Sequence, residues 1–461
     1  MKRTYKLRIL FLLLVPLVLS LLLNSCGIYT KYSRPDLKMY ESYRLEDTQY
    51  IQDSVHLGNV HWPDFFTDTC LQHIIAKALD SNFDYRIALE RIKEYQAAVV
   101  ASKWAFSPTL NFNPSVGAGN TNGAVNMPYQ LPLQASWEID VFGKLTNSKR
   151  TALAALLKSE EARKEIETRI VADIACEYYR LIMYDCQLEL VDSTTAMWDR
   201  QIETMRSLKV SGRATEVAVS QAMAKSFESQ LQVPEIKQQI RATENKICLL
   251  MGEEPHPVVR SEWDTTELTE VFLIGYPVQM LANRPDVRQA EADLMIVFGN
   301  TNIARSAFYP NLMLTFSGMM RGDVIVTNPV DFIWSALASL TQPILNQGKN
   351  RANLKIAKIR QQEALLAFEN ILLVAGNEVS TALYNYKTEL DKKSVRLLQI
   401  ENLQKAASQT DELLLIGTGT YLDVLSAQRD LLNARLDFIK ETYERNMYII
   451  DLYRALGGGT K

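Results

Sequence analysis

The stretch Trp104–Trp137, WAFSPTLNFNPSVGAGNTNGAVNMPYQLPLQASW, contains no Asp, Glu, Lys, Arg or His, in a chain otherwise charged at ordinary density. Inside it, apolar and polar side chains alternate. Leu110, Phe112, Val116 and Ala118 fall on one parity; Thr109, Asn111, Asn113 and Ser115 fall on the other. The polar segment Gly119 to Asn126 predicts a turn. Beyond it Tyr129, Leu131, Leu133, Ala135, Trp137, Ile139 and Val141 alternate with Gln130, Pro132, Gln134, Ser136, Glu138 and Asp140. A period of two is that of a strand. A hairpin with apolar residues on one side and polar residues on the other suits a membrane-spanning β-segment, which needs about 9–11 residues per strand. It also suits a half-buried hairpin in water, and this window alone leaves both readings open.

The chain repeats itself once. Ala105-Phe106-Ser107-Pro108-Thr109-Leu110 recurs as Ala307-Phe308-Tyr309-Pro310-Asn311-Leu312. Gly143-Lys144 recurs as Gly348-Lys349, Gly212–Thr215 as Gly417–Thr420, and Met251-Gly252 as Leu456-Gly457. Shared order at a nearly constant offset predicts two tandem copies, residues 67–260 and 261–461. The first holds a hairpin over 106–142 and a long helical hairpin over 144–252. The second holds a hairpin over 308–345 and a helical hairpin over 348–457. Its own charge-poor strands carry Leu312, Leu314 and Phe316, then Phe332, Trp334, Ala336, Ala338 and Leu340, with a loop predicted around Gly322 and Asn328-Pro329. Finding the strand pair twice favours the membrane reading.

Between the hairpins the chain is helical. Lys144–Leu208 lacks Pro and Gly, and Asn350–Ile416 has Gly376 alone. Helices of this length span roughly 100 Å. In the second copy Leu365, Phe368, Leu372, Ala375, Val379, Ala382 and Tyr386 step by three and four, and the frame continues through Ile400, Leu403, Ala407 and Leu414, interrupted by Glu389, Lys393 and Arg396. That is a heptad seam. The first copy's seam is weaker, with Asp185 and Asp192 at or near it. Gly212 and the Gly417/Gly419 pair mark sharp turns, after which Thr215–Met251 and Thr420–Leu456 run as further helices. Asn283-Arg284-Pro285-Asp286 opens another helix, with Pro285 in its first turn and Asp286 favourable to the dipole.

At the start, Lys2, Arg3, Lys6 and Arg8 precede an apolar run from Ile9 to Leu23. The run is short for a spanning helix and reads as a secretion signal over 1–25. Leu23-Asn24-Ser25-Cys26 resembles a lipoprotein processing box, which makes Cys26 the lipidation site and 26–66 an acylated linker. Gly27, rather than Asp, follows, which favours the outer membrane over retention at the inner one. A net charge of −3 argues against nucleic acid. Cys176 and Cys186 lie too far apart on one helix to bridge; a Cys70–Cys248 disulfide stays open. The four His residues do not cluster, so neither a metal nor a cofactor is expected.

Each copy reads helix, hairpin, long helix, tight turn, helix. Four strands cannot close a barrel, and open sheet edges are not tolerated in hydrocarbon. Strands of several chains must join, and three chains would supply twelve. The helices would continue beneath as a tube of matching symmetry. The fold class is therefore a mixed α and β membrane protein: a shared transmembrane β-barrel continued by a long coiled-coil helical barrel.

The lipobox, Tyr32-Ser33-Arg34-Pro35, Asn283-Arg284-Pro285-Asp286-Val287, Ala307-Phe308-Tyr309-Pro310, Tyr421-Leu422-Asp423-Val424-Leu425-Ser426-Ala427-Gln428 and the closing Tyr453-Arg454-Ala455-Leu456-Gly457-Gly458 together resemble the TolC-like outer membrane factors. The match is to their lipoprotein branch, which serves tripartite RND-type efflux systems. The resemblance implies a homotrimer, a twelve-strand barrel, a twelve-helix tunnel and a periplasmic tip held shut until a periplasmic adaptor and an inner-membrane RND-type transporter engage it. It places the chain in outer membrane lipid and makes it a small-molecule exit channel, not an enzyme. Carried over by motif, the narrowest rings fall at Leu422, Asp423 and Ser426. Three Leu side chains can close a pore by dewetting, and three carboxylates attract cations. Relatives often have Asp where Ser426 stands, which weakens the electrostatic part of the gate. Asp423 also reads as a helix-start carboxylate, and Leu422 as a coiled-coil core position. The exposed turns, with Gly212, Arg213 and Thr215 in the first and Gly417, Gly419 and Thr420 in the second, are candidates for adaptor contact or simply turn chemistry.

Two other readings share parts of this pattern. A type I protein secretion system would use the same kind of duct. A periplasmic coiled-coil scaffold lipoprotein would explain the anchor and heptads, but not two charge-poor hairpins.

Overall fold

The computed structural model describes residues 30–35, 60–121, 124–262, 284–324, 331–344 and 346–459. The signal segment, Cys26, most of the 26–66 linker, Asn283 and Asn328-Pro329 lie outside the described residues. The order is α1 (Trp62–Phe65), α2 (Thr69–Ser81), α3 (Phe83–Trp104), β1 (Thr109–Phe112), β2 (Ser115–Val116), β3 (Gly119–Thr121), β4 (Ala124–Asn126), β5 (Pro128–Ile139), α4 (Lys144–Val210), α5 (Glu216–Leu250), α6 (Pro285–Ser306), β6 (Asn311–Asp323), β7 (Asp331–Thr341), α7 (Lys349–Ile416) and α8 (Tyr421–Ala455). Two compact units emerge: Met1–Leu37 with Glu90–Glu160 and Gln289–Asn370, and Lys38–Leu89 with Glu161–Arg288 and Ile371–Lys461. Each draws on both halves of the chain.

The first unit holds an antiparallel sheet in the order β1-β5-β6-β7, with β2 also on β5. The first hairpin keeps one register throughout: Thr109 faces Ser136, Ser115 faces Gln130, and Gly119 faces Asn126. Pro114, which has no N–H to donate, falls in the break between β1 and β2. The segment Gly119 to Asn126, expected as a turn, is instead paired as β3 and β4 out to Thr121 and Ala124. Its Gly, Asn and Thr side chains lack the apolar alternation that marks a strand, but the neighbouring pairs already set its register. Gly322, expected in a loop, lies in β6 opposite Tyr129. A Cβ there would meet the Tyr129 ring at 2.7 Å, so the aromatic ring occupies the space a side chain would need.

Cross-strand pairs separate the two faces. On one, Leu110 faces Ala135, Ala135 faces Phe316, and Phe316 faces Ala336; Leu133 faces Gly318, and Gly318 faces Trp334. On the other, Asn111 faces Gln134, Gln134 faces Ser317, and Ser317 faces Ser335. The apolar face is bare: Leu110 is 67%, Phe112 57%, Phe316 52% and Trp334 73% exposed. Burying such residues against hydrocarbon or protein is worth about 1.5–3 kcal/mol each. Among the described residues, β1 and β7 pair on one side only. No described helix is long and apolar enough to cross a membrane. At the foot of the sheet, α6 and α4 cross where Gly299 leaves room: a Cβ there would lie 2.4 Å from Thr151 Oγ1.

The second unit carries the main core. Leu71, Ile75, Ile174, Tyr178, Leu181, Ile247, Ile449 and Ile450 are all but fully buried in it. The heptad frame of α7 is the buried one: Phe368, Leu372, Ala375, Val379, Ala382 and Tyr386 are all buried, and so are the interrupting Glu389 and, further along, Ala407. Arg396, another interruption, spans to α8 and pairs with Glu441 at 2.6 Å and Asp437 at 3.2 Å. In α4, Asp185 pairs with Arg260 at 2.5 Å. The Cys70–Cys248 disulfide is not formed; Cys70, Cys176, Cys186 and Cys248 are free thiols, and Cys248 Sγ donates to the His256 carbonyl at 3.4 Å.

Candidate functional site

The site is built from two tight turns and the helices that leave them. α4 ends with Arg213 and Ala214 N–H donating to the Leu208 carbonyl at 2.8 and 3.2 Å, which satisfies a carbonyl the helix leaves orphaned. Gly212 takes φ +76°, a left-handed geometry that favours glycine. Thr215 then caps α5, its Oγ1 accepting from Ala218 N at 3.3 Å, while Lys209 and Glu216 pair across the turn.

The second turn uses the same devices. Gly417 has φ +87°, and the N–H groups of Thr418 and Gly419 donate to Leu413 O at 3.1 and 3.0 Å. Gly419 is needed for close approach, since a Cβ there would lie 3.0 Å from that of Leu413. Thr420 caps α8 reciprocally: Thr420 Oγ1 accepts from Asp423 N at 3.3 Å, and Asp423 Oδ2 accepts from Thr420 N at 3.1 Å and from Thr420 Oγ1 at 2.7 Å. This is a capping box. The Thr420 hydroxyl and N–H hold the Asp423 carboxyl below the usual carboxylate range.

Arg213 joins the two turns. Its Nη2 donates to the Leu415 carbonyl at 2.8 Å, and the same nitrogen lies 2.7 Å from where a Gly417 Cβ would be. Beneath, Ile202, Met205, Leu208, Ala218, Val219, Ala222 and Tyr421 form one apolar cluster.

The gate candidates divide on this frame. Leu422 is 62% exposed, so it is not a core position of its own helical hairpin; Tyr421 and Val424 are the buried residues. Asp423 is exposed and Ser426 half-buried. Leu422 and Ser426 are one turn apart and share a flank of α8. The carboxylate of Asp423 therefore serves first as a cap within its own chain.

Sequence reasoning passed over three features. Tyr421 is buried with its hydroxyl unpartnered, and burial pushes that hydroxyl up to about 12. Asp411 accepts from Gln428 Nε2 at 3.2 Å through one oxygen while the other is buried and unpartnered; burial pushes its carboxyl up and Gln428 pulls it down. Arg284, buried, donates to the Ala455 carbonyl at 2.8 Å and pairs with both Asp286 and Glu378 at 2.7 Å. It thus ties the start of α6 to α7 and to the end of α8. A buried Arg in an Arg-Pro-Asp triplet could have been noticed; its carbonyl partner in the last turn of α8 could not.

The family described as outer membrane efflux protein matches residues 74–253 and 276–458. The cation efflux system protein CusC of Escherichia coli strain K12 is 28% identical over 97% of this chain and 99% of its own. The probable outer membrane lipoprotein SilC of Salmonella typhimurium is 25% identical over 95% of this chain and 96% of its own. The crystal structure of the open MtrE outer membrane channel of Neisseria gonorrhoeae superposes with a TM-score of 0.85, at 25% identity, over 95% of this chain and 99% of that one. With the family model matching most of its length, in two successive stretches, the chain belongs to the outer membrane efflux protein family.

Proposed function

We propose that this chain is the exit duct of a tripartite efflux pump, passing small molecules from an inner-membrane RND-type transporter and a periplasmic adaptor to the outside. The observation that carries the reading is the sheet: a bare apolar face, an opposite face where Asn111, Gln134, Ser317 and Ser335 sit among a few apolar residues such as Ile333 and Leu337, and, among the described residues, two edges without a partner strand. In lipid such edges must be paired, and three copies edge to edge make a closed barrel of twelve strands. We read residues 67–260 and 261–461 as tandem copies of one unit, and Cys26 as the acylated residue that anchors the chain in the outer membrane. The likeness to SilC, whose name describes an outer membrane lipoprotein, supports that anchor. The chain does no chemistry of its own in this reading; it offers a passage.

The gate lies at the start of α8. In a trimer, three exposed Leu422 side chains and three Asp423 carboxylates ring the axis, and Ser426 lines the next turn. The exposed turn residues Gly212, Arg213 and Thr215, with Gly417, Gly419 and Thr420, receive the adaptor. The test is single-channel conductance of the purified trimer in planar bilayers. Asp423→Asn keeps an acceptor oxygen for the cap but removes the charge, and is expected to reduce preference for cations; Asp423→Ala, which removes the cap as well, is expected to raise closed-state conductance. Unchanged conductance and selectivity would take Asp423 out of the gate.

A further inference from the structure

The first turns of α7 carry charge of one sign. From Phe332 to Gln362 the chain has no Asp or Glu, yet Lys349, Arg351, Lys355, Lys358 and Arg360 fall within it. All are exposed, and among the described residues none of them has an ion-pair partner. Arg351, Lys355 and Lys358 stand at i, i+4 and i+7 and share one flank, where like charges oppose each other. Cations in a first turn also oppose the helix dipole. The first copy does without this charge. There Lys144 pairs with Glu138 at 2.9 Å, and the positions matching Arg351, Lys355 and Lys358 are Thr146, Arg150 and Leu153.

The fold fixes which way the flank looks. α7 packs on α6 and its end through Asn350, whose Nδ2 donates to the Ala307 carbonyl at 2.9 Å, and through the Ala357 carbonyl, which accepts from Thr301 Oγ1 at 3.3 Å. Ile356 and Ile359, both bare, lie on the opposite side, where a neighbouring subunit closes the proposed ring. Along β5 the carbonyls of Pro128 and Pro132 accept from Gly117 and Asn113, whereas that of Met127 accepts from Val324. For L-residues whose odd-numbered side chains form the apolar face, this alternation sets the hand of the sheet. Seen from the apolar side with the helices below, β6 lies left of β5, and β7 left of β6. α7 therefore descends with α6 on its right. Its right-handed turn carries Arg351, Lys355 and Lys358 to the side of the apolar face, and Lys349 and Arg360 to the side of the passage.

Height is fixed as well. Asn350 meets Ala307 two residues before Tyr309, which is 39% exposed and stacks on Phe142 at 5.1 Å. Trp104, at the end of α3, is 70% exposed. Exposed Trp and Tyr where strands give way to helices suit the boundary between lipid and water. At 1.5 Å per residue, Arg351, Lys355 and Lys358 lie about 2, 8 and 12 Å below Asn350. The headgroup layer under the hydrocarbon is about 5–8 Å deep, and the long Lys358 stem can reach back into it.

We propose that Arg351, Lys355 and Lys358 bind the phosphates of anionic phospholipids in the periplasmic leaflet of the outer membrane, giving the duct a lipid collar at the foot of its sheet. The guanidinium fork of Arg351 matches a phosphate, and bound phosphate relieves the repulsion along the flank. The inference rests on the duct reading above, which places the sheet in the membrane.

The test is a lipid titration of the full-length trimer in detergent, read by native mass spectrometry. Dioleoyl phosphatidylglycerol is the probe and dioleoyl phosphatidylcholine the zwitterionic comparison. Phosphatidylglycerol is expected to bind more tightly, by a margin that shrinks with salt. Each cation near an anionic surface is worth about fivefold in affinity, so Arg351→Gln/Lys355→Gln/Lys358→Gln should weaken that binding about a hundredfold. Arg351→Lys keeps the charge and should bind nearly as the natural protein does; Lys349→Gln/Arg360→Gln should leave lipid affinity unchanged. The same spectra show whether each variant is trimeric, and if the triple variant is not, the single Gln variants at 351 and 355 carry the test. Unchanged affinity on removing these charges, or a loss that appears with Lys349→Gln/Arg360→Gln instead, overturns the proposal. Displacement of the lipid by inorganic phosphate would make this a free-anion site and overturns it too. A natural protein that stays out of bilayers in a flotation assay defeats the duct reading itself.

Discussion

Single residues decide how the turns are held. Gly417 combines φ +87° with an Arg213 nitrogen 2.7 Å from the missing Cβ. Gly212 has φ +76° and nothing within 4 Å of its missing Cβ. Gly212→Ala is expected to cost about 1–2 kcal/mol, the left-handed penalty of a non-glycine residue. Gly417→Ala carries that penalty and also displaces Arg213 from Leu415, so its chemical-denaturation midpoint should fall further; in an Arg213→Ala background the two Ala variants should become equal. Asp423 gives a pH signature. Its folded carboxyl lies below its ordinary value because Thr420 donates to it. The ionised cap is therefore complete above the unfolded value of about 3.9 and is lost as pH falls through the lower, folded value. Closed-state conductance should change in that acid window, and Asp423→Asn should lack the step. The Gly and Thr-x-x-Asp signals were legible in the sequence, since each depends on residues within one turn. The Arg213–Leu415 bond was not, because it joins residues 202 positions apart.

Elements tell a similar story at longer range. The α7 seam was readable because three-and-four spacing maps directly onto one helix face, and the spacing held even through Glu389, which is buried. The α4–α5 pair uses a different contact. Thr195 Oγ1 donates to Ser229 Oγ at 2.9 Å and Ser226 Oγ to Asp199 Oδ1 at 3.0 Å, so part of its interface is polar and leaves no heptad signal. Pro234 inside α5 likewise runs against what local propensity alone would allow. The crossing of α6 over α4 offers a measurement. Gly299→Ala would set a Cβ 2.4 Å from Thr151 Oγ1, an overpacking worth about 1–3 kcal/mol. Against that stands the gain of about 0.5–1 kcal/mol that Ala brings to a helix interior. The variant should lower the thermal midpoint, and Thr151→Ala should turn the same change neutral or stabilising.

At the scale of the whole molecule, the sheet faces set the environment. Ala336 lies on the apolar face opposite Phe316, and Leu337 on the other face opposite Thr315. Ala336→Arg places a charge toward lipid, at a cost of about 2–4 kcal/mol near mid-membrane. Leu337→Arg places it toward the passage. The second change should leave yields of assembled protein in outer membrane fractions near the natural level, and the first should abolish them, although replacing Leu would look the harsher of the two on hydropathy alone. Strand alternation made these faces legible before any coordinates; the pairing of β5 with β6 joins strands far apart in the chain and was not.

The unpaired rims of β1 and β7 have a genetic corollary. In the proposed ring of three, a subunit whose β7 rim is blocked still offers a sound β1 rim and is recruited by healthy neighbours. With defective and normal copies expressed equally and mixed at random, only about one ring in eight is wholly sound. Such alleles should behave as dominant poisons, whereas early truncations that never fold should be silent in the presence of the natural gene.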